Sequence, residues 1–393
     1  MMSFFIVQSF YFFLINWLTF FSKPSSYREK KSILYLENFP IENAGYQYRV
    51  AKWADLLRKE GYQVDIWTLF ENKTDFERKI AVKPFSKFLI AALKKRYKQV
   101  LASRYYETVI VRRELIWFND YGNLFMDKLL LKFHPNAILD FDDDIAAAKN
   151  QPKKITNLFG KIMLEDGNKF NNTLRLYSRF IVASNYLKKK VLRENTGLNP
   201  KSIWVIPTCV DYNKYTAKEY PDNIEKLTFG WIGGSHNYSL LDKIIPILEK
   251  LAVNHKFQLL VIGGKNYIRE TNFPIKFKNW SIHDEIDDIR DMDIGLMPLD
   301  NSKISKGKGG FKLIQYMGMG VTSVASNITI NKKIVDNTRN SFLVESEDDW
   351  YNVLKNIMLG KYDLSKIGRE ARKTICGSYT CDSNIDYYLS IFE

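Results

Sequence analysis

Cysteine and histidine are scarce in this sequence. Three cysteines, Cys209, Cys376 and Cys381, are too few for a disulfide framework, and none stands in a CxxC pair or beside a histidine. Four scattered histidines give no spacing suited to zinc, so no metal site is expected from these residue types. The thiol usage fits a reducing cytosol. Negative charge is also short, with 44 Asp and Glu against 58 Lys and Arg, a net charge of +14. Such an excess attracts anions: nucleic acid, an acidic membrane face or phosphorylated small molecules. The basic runs Arg28–Lys31, Lys94–Lys98 and Lys188–Lys190 lack any flanking nucleic-acid motif, so no nucleic-acid partner is expected.

What is present is an ordinary globular composition, 46% apolar and 26% charged, in a chain of 393 residues. That length exceeds one ordinary hydrophobic core, and two domains are expected. Residues 1–31 stand apart. Phe4–Phe21 carries no charge, and at about 1.5 Å per residue a helix of this length just reaches across a hydrocarbon core. Gln8, Ser9, Asn16 and Thr19 dilute it, and the cleavage pattern of a secretory signal is missing. Three readings stay open: a span, an aromatic-rich anchor lying on the surface, or extra residues from an upstream start codon. The following Arg28, Lys30 and Lys31 place the rest of the chain on the cytoplasmic side by the positive-inside rule.

Beyond residue 31 short apolar runs alternate with helical stretches. Strands are expected at 31–36, 63–69, 108–112, 137–141, 180–184 and 202–206, with a helix over 48–60. The segment 207–223, bounded by prolines, reads as a linker. The pattern restarts with strands at 227–233, 257–264, 293–299 and 321–326. Strand–helix alternation implies parallel sheets, giving α/β domains over 32–206 and 224–375, with a C-terminal helix in 376–393 that packs back on the first. Ligands of such sheets bind beyond the carboxyl ends of the strands.

Three loops at those ends have anion-binding character. In 233-GGSHNYS-239, Gly233 and Gly234 allow close backbone approach and Ser235 adds a donor just before a helix; a plain turn with a capping side chain is the alternative. The loop 263-GGKN-266 is shorter. The third, 307-GKGGFKLIQYMGMG-320, fails both as GxxxxGK[ST] and as GxGxxG. It leaves Lys308, Gly309 and Gly310 in a loop, then Phe311 and Lys312 opening a helix. Cations in a first turn oppose the helix dipole unless an anion sits there, which favours a phosphate over a solvated charge run. In the first half, 140-DFDDDI-145 leaves a strand with four aspartates. Asp142 and Asp143 suit a general base, acceptor-hydroxyl recognition or a metal, or else a solvated turn that caps a helix. The loop 37–49 brings Gly45 and Arg49 to the same end of the sheet, Arg49 equally readable as a surface charge. Ser86–Arg104 reads as a basic amphipathic helix, with Lys94, Lys95, Arg96 and Lys98 on its polar face, suited to an anionic membrane or to ordinary packing.

The block 280–335, with its DIGLMPL strand, GKGGFKLIQYM loop and VTSVAS strand, resembles the donor-binding region of bacterial GT-B glycosyltransferases of the family-four kind. The likeness extends to GWIGGSHNYSLL, VIPTCVD, DFDDDI and the Arg49 helix, most of residues 32–375. It implies two Rossmann-like, doubly wound domains facing a central cleft. It also implies a nucleotide-diphosphate sugar donor, retention of anomeric configuration, and no cofactor or obligatory metal. A metal-dependent transferase using DFDDD and a non-catalytic nucleotide-sugar or membrane binder are the alternatives. The family's E-x7-E glutamates, which hold the donor sugar and ribose, fall on Gly307 and Gln315. Asp144 stands where the subgroup has alanine, and Thr322 and Ser323 replace Pro-Val. The resemblance makes Gly233, Gly234, Ser235, the 308–312 residues and Gln315 donor ligands. Asp142 and Asp143 become catalytic or acceptor-side groups. The implied acceptor is a glycan or lipid-linked molecule of surface polysaccharide synthesis, reached at the cytoplasmic face of the inner membrane, with an anionic membrane surface as partner.

Overall fold

A computed structural model describes residues 29–78, 87–116, 124–149, 169–220 and 226–393. The hydrophobic segment at the N-terminus therefore lies outside the described residues. The chain divides into two compact units, Met1–Pro207 with Tyr387–Glu393, and Thr208–Asp386.

The first unit holds a six-stranded parallel sheet built from β1 (Glu29–Glu37), β2 (Gln63–Thr68), β3 (Tyr106–Arg112), β4 (Ile138–Phe141), β5 (Arg179–Val182) and β6 (Ile203–Val205), in the order β2-β1-β3-β4-β5-β6. Ile33–Leu36, Val109–Val111 and Ile138–Phe141 are buried on both faces, as a sheet covered by helices on two sides requires. The chain runs from β1 outward to β2, then crosses to place β3 on the other side of β1. That reversal opens a crevice at the carboxyl ends of β1 and β3. The last residues of the chain belong to this unit: Tyr388 stacks on Trp53 at 4.1 Å, and its hydroxyl meets Tyr35 Oη at 2.7 Å.

The second unit repeats the architecture with β7 (Leu227–Gly233), β8 (Phe257–Gly263), β9 (Ile275–Asn279), β10 (Ile294–Met297), β11 (Thr322–Ser326) and β12 (Phe342–Val344), in the order β12-β11-β10-β7-β8-β9. All its pairings are parallel, and the reversal falls between β7 and β10. The approach segment is pinned to this unit. Lys218 Nζ donates to Arg290 O, Met292 O and Asp293 Oδ1 at 3.0, 2.8 and 2.8 Å.

Two strands escaped the sequence pattern, β9 (IKFKN) and β12 (FLV). Both are sheet edges; β9 exposes Lys276 and Asn279 and is partly open elsewhere, and β12 is three residues long. The expected helix at 48–60 opens instead with a π-helical turn, Gln47–Ala51, before the α-helix Lys52–Lys59. Such a turn shifts the register of the side chains it carries, here turning Arg49 into the interior, where it is 1% exposed.

The helix Lys87–Ala102 corrects one expectation. Arg96, counted on its polar face, is fully buried. Its guanidinium donates to Leu115 O (2.9 Å), Gln99 Oε1 (2.9 Å), Glu37 O (2.8 Å) and Asn38 Oδ1 (2.9 Å), tying the ends of β1 and β3 to the helix. Burial lowers its pKa to about 10. Leu93, Tyr97, Val100 and Leu101 pack on the core of the first unit, so the apolar stripe is already used inside the fold. Among the described residues no helix is long and apolar enough to cross a membrane.

Candidate active site

At the β7/β10 reversal of the second unit, two loops distant in sequence meet. Gly233 ends β7, and a Cβ there would lie 2.6 Å from Lys312 Cε and 2.7 Å from the Trp231 ring. Only glycine leaves room for the lysine to lie across the strand end. Lys312 Nζ sits 5.3 Å from the Trp231 ring centroid, a cation–π arrangement. Gly234 follows, and Ser235–Asn237 forms a short 3₁₀ turn closed by Asn237 N donating to Gly234 O at 2.9 Å. Lys308 Nζ donates to Asn237 Oδ1 at 2.9 Å, joining the second loop to that turn. Gly309 and Gly310 are buried, and Gly310 caps the helix Phe311–Gly318 at φ 73°, a left-handed conformation that a side chain would strain. Tyr316 fixes this helix to β7, its hydroxyl accepting from Ile232 N at 2.9 Å.

Gln315 lies on the inner face of the same helix, 3% exposed. Its amide nitrogen donates to Tyr215 Oη at 3.0 Å and to the Glu285 carboxylate. Glu285 is 1% exposed, and its other oxygen accepts from Trp280 Nε1 at 3.0 Å. Asp300, just beyond β10, accepts from Lys243 Nζ at 2.8 Å and Ser305 Oγ at 2.7 Å. Burial works against its charge, but Lys243 and the Ser302 and Ser305 donors more than offset that and hold it below the usual carboxylate range. A polar cavity of about 460 Å³ opens there, at the carboxyl ends of β10, β11 and β12.

At the β1/β3 reversal of the first unit the chemistry is different. All four aspartates of DFDDDI have cationic partners, some of them shared. Asp140 is buried against Arg49, which binds it through Nε (2.9 Å) and Nη2 (2.6 Å) while Nη1 donates to Ile206 O at 2.6 Å. Arg49 is therefore a buried structural partner and not a surface charge. Asp142 lies between Arg112 Nη2 and Arg113 Nη2, each at 2.8 Å. Burial would raise its carboxyl, yet Arg112, Arg113 and Arg49 outweigh that and hold it well below the usual carboxylate range. Asp142 is thus a fixed anion, poorly suited to accept a proton. Asp143 is more open, its side chain 48% exposed and 3.5 Å from Arg113. Asp144 pairs with Lys190 at 2.5 Å and caps the next helix through Ala147 N. Gly45 N donates to Asn43 Oδ1, and a Cβ on Gly45 would lie 3.9 Å from Arg112 Nη2.

Three groups here went unread in the sequence: Glu37, Arg112 and Arg113. Their signal was positional, charged residues at the last turn of β1 and β3 where the apolar run stops. Arg112 is buried with ion-pair contacts to Asp140 and Asp142, but none of its guanidinium nitrogens makes a hydrogen bond among the described residues. Arg113 adopts φ 65°, rare for a side-chain-bearing residue, and lies 5.3 Å over the Phe39 ring. Glu37 is fully buried; Oε1 accepts from Asn38 N (2.6 Å) and Phe39 N (2.9 Å), while Oε2 has no partner among the described residues. Burial pushes it up to about 7 despite the opposing Arg112 and backbone N–H groups.

Residues 227–358, the body of the second unit, match the model of the family described as "Glycosyl transferases group 1". No curated protein matches the chain in sequence at a significant level. Among solved structures, a glycosyltransferase from Rickettsia africae is similar at 17% identity and TM-score 0.62, covering 94% of this chain and 100% of that one. The sucrose-phosphate synthase of Thermosynechococcus elongatus aligns at 13% identity and TM-score 0.63, over 92% and 99%. HepE of Anabaena, solved with UDP and glucose, aligns at 14% identity and TM-score 0.58, over 91% and 99%. These likenesses show the GT-B fold, with its two six-stranded parallel sheets. The match to the group 1 glycosyltransferases covers residues 227–358 of the second unit, where the glycine–lysine loops of the β7/β10 reversal lie.

Proposed function

We propose that the second unit holds a nucleotide-diphosphate sugar through its diphosphate, and that the sugar passes with retention to a glycan or lipid-linked acceptor of surface polysaccharide synthesis. The observation carrying this reading is the convergence of Lys312 on Gly233 and of Lys308 on Asn237. Two ammonium groups and a run of glycine backbone thereby share one strand-end crevice. Breaking the bond from sugar to phosphate builds negative charge on the β-phosphate. Fixed donors aimed at that charge lower the barrier without a proton transfer. The glycines at 233–234 and 309–310 let backbone N–H groups approach a phosphate, and the lysines add charge. A UDP-sugar is the first donor class to examine, because HepE, with the same fold, has been solved with UDP and with UDP-glucose.

The acceptor hydroxyl is assigned to the first unit, at the β3/β4 ends. Asp143 is the favoured contact there, because Asp142 is already held by two arginines. Retention fits this division: the departing phosphate takes up the hydroxyl proton, and the carboxylate orients the hydroxyl. A metal-dependent reading of DFDDD gains little support, since Asp140, Asp142 and Asp144 are engaged by Arg49, Arg112, Arg113 and Lys190.

The test is donor hydrolysis and transfer across a panel of nucleotide-sugars by purified protein. The Lys312→Ala variant is expected to lose on the order of 100-fold in kcat, as for removal of a charge-stabilising donor, with an unchanged melting temperature. Wild-type kcat/KM in that variant would remove Lys312 from the reaction. Unchanged acceptor turnover in Asp143→Asn would remove the acceptor assignment alone.

A further inference from the structure

The cavity at the carboxyl ends of β10, β11 and β12 is separate from the glycine–lysine crevice, and none of the residues assigned to the donor lines it. Its walls are tied together. Leu299 N donates to Ser326 Oγ at 2.8 Å, joining the loop after β10 to the end of β11, and Asn327 N donates to Val344 O at 2.8 Å, joining β11 to β12. A volume of about 460 Å³ lies in the range of small-molecule sites. Part of the lining is apolar, with Ile247, Pro298, Val344 and the Trp350 indole. The charged part sets the carboxylates of Asp300, Glu345 and Glu347 against the ammonium groups of Lys243 and Lys332. That balance disfavours an anion. The helix Glu347–Met358 also begins here, but its N-terminus is closed by the capping box of Ser346 and Asp349, and three acids fill its first turn. Nor do acids gather at one point; among the described residues no such group could hold a metal ion.

What suits such a lining is a neutral ligand that donates and accepts hydrogen bonds around a C–H surface, which is the chemistry of a pyranose ring. Ring hydroxyls give to carboxylates and take from ammonium and amide groups, while the apolar face of the ring lies on aliphatic and indole surface. Lys243 and Asp300 hold each other at 2.8 Å, and Asn327 Nδ2 donates to Glu345 Oε1 at 2.5 Å, so these groups are fixed before a ligand arrives. Lys332 and Glu347 are exposed and make no ion pair among the described residues, which leaves a donor and an acceptor at the rim. We propose that this cavity is a saccharide-binding site of the second unit that takes a neutral pyranose ring and lies apart from the donor and acceptor positions. A sugar held here is bound without taking part in the transfer.

The experiment measures binding of the methyl glycosides of glucose, galactose, mannose and N-acetylglucosamine to the full chain by saturation-transfer NMR and calorimetry. Maltose, lactose, mannobiose and chitobiose form a second arm, and glucose 6-phosphate and uridine serve as contrasts. At least one neutral sugar is expected to bind in the millimolar range, more tightly than either contrast. Glu347→Gln and Lys332→Ala should each weaken that binding about tenfold with an unchanged melting temperature, as for loss of a hydrogen bond to a charged group. Lys312→Ala and Asp143→Asn should bind the same sugar as wild type does, which separates the cavity from the donor and acceptor positions. A disaccharide that binds more tightly than its glycoside marks a glycan chain as the source of the ring, and the reverse order marks a free sugar. Absence of binding by every sugar, wild-type affinity in Glu347→Gln or Lys332→Ala, or binding lost in Lys312→Ala or Asp143→Asn overturns the proposal. Tighter binding of glucose 6-phosphate or uridine overturns it as well. Nucleotide-sugar turnover does not enter these measurements, so failure of the donor-site reading would leave this site standing.

Discussion

The two sheets reverse their strand order in the same way and furnish the resulting crevices with opposite chemistry. At the β1/β3 reversal, three arginines and three aspartates are cross-paired, and most of that charge is buried. At the β7/β10 reversal, Lys308 rests on an amide oxygen and Lys312 on an indole face, among glycines. Burying an ion is costly unless a counter-ion comes with it. The first crevice meets that cost internally and is a rigid, nearly neutral frame. The second sets Lys308 against an amide oxygen and Lys312 beside an indole, the arrangement on which the donor-site proposal rests. The same topology thus carries buried ion pairs in one unit and glycine-flanked lysines in the other, and the side chains at the strand ends decide which.

The largest effect expected from this contrast is on stability in the first unit. Asp140→Ala removes the carboxylate that Arg49 binds through two nitrogens and should cost about 3–5 kcal/mol in urea unfolding. The paired change Arg49→Met with Asp140→Leu should recover most of that loss, since replacing both ions by apolar groups removes the unpaired charge. A loss below about 1 kcal/mol in Asp140→Ala would mean that the frame is not held by this pair.

Glu37 makes a second, pH-dependent distinction. Burial raises its pKa from the ordinary 4.5 to about 7, with Arg112 opposing. A raised carboxyl binds its proton more tightly in the folded state than in the unfolded one. The associated stability is fully present below pH 4.5 and is lost as pH rises through about 7. The total change is roughly 3 kcal/mol at about 1.4 kcal/mol per pH unit. Unfolding followed between pH 5 and 8 should show a falling contribution in wild type and a flatter profile in Glu37→Gln. Parallel profiles in the two proteins would show that Glu37 ionises freely in the native state.

The central strands were legible because they are buried on both faces, and a run such as Ile33–Leu36 or Leu259–Ile262 has no other use. The edges β9 and β12 were not, because an edge strand alternates charge or shortens, and its pattern then matches a loop. The glycine–lysine loops were legible as chemistry, since lysine in a first helical turn is locally unfavourable and calls for an explanation. Their convergence was not, because Gly233 and Lys312 are 79 positions apart and only the close packing of Lys312 across Gly233 joins them. Arg49, Arg96 and Arg112 were the hardest to read. A buried arginine has the same letter as a surface one, and its partners lie on other strands. Glu285 was hidden likewise, because its partner Gln315 lies on another helix.

The smallest expected effect separates a cation that holds a loop from one that holds a ligand. Lys308 and Asn237 bond to each other, so a purely structural bond predicts equal consequences from removing either end. If Lys308 also meets the diphosphate, Lys308→Ala should raise the donor KM about tenfold, about 1.4 kcal/mol, while Asn237→Ala leaves it near wild type. The wild-type KM should also rise with ionic strength, since a partly exposed ammonium–phosphate contact is screened by salt, and Lys308→Ala should weaken that dependence. Equal KM values in the two variants, with equal losses in melting temperature, would return Lys308 to the scaffold and leave Lys312 as the cation that distinguishes the second crevice from the first.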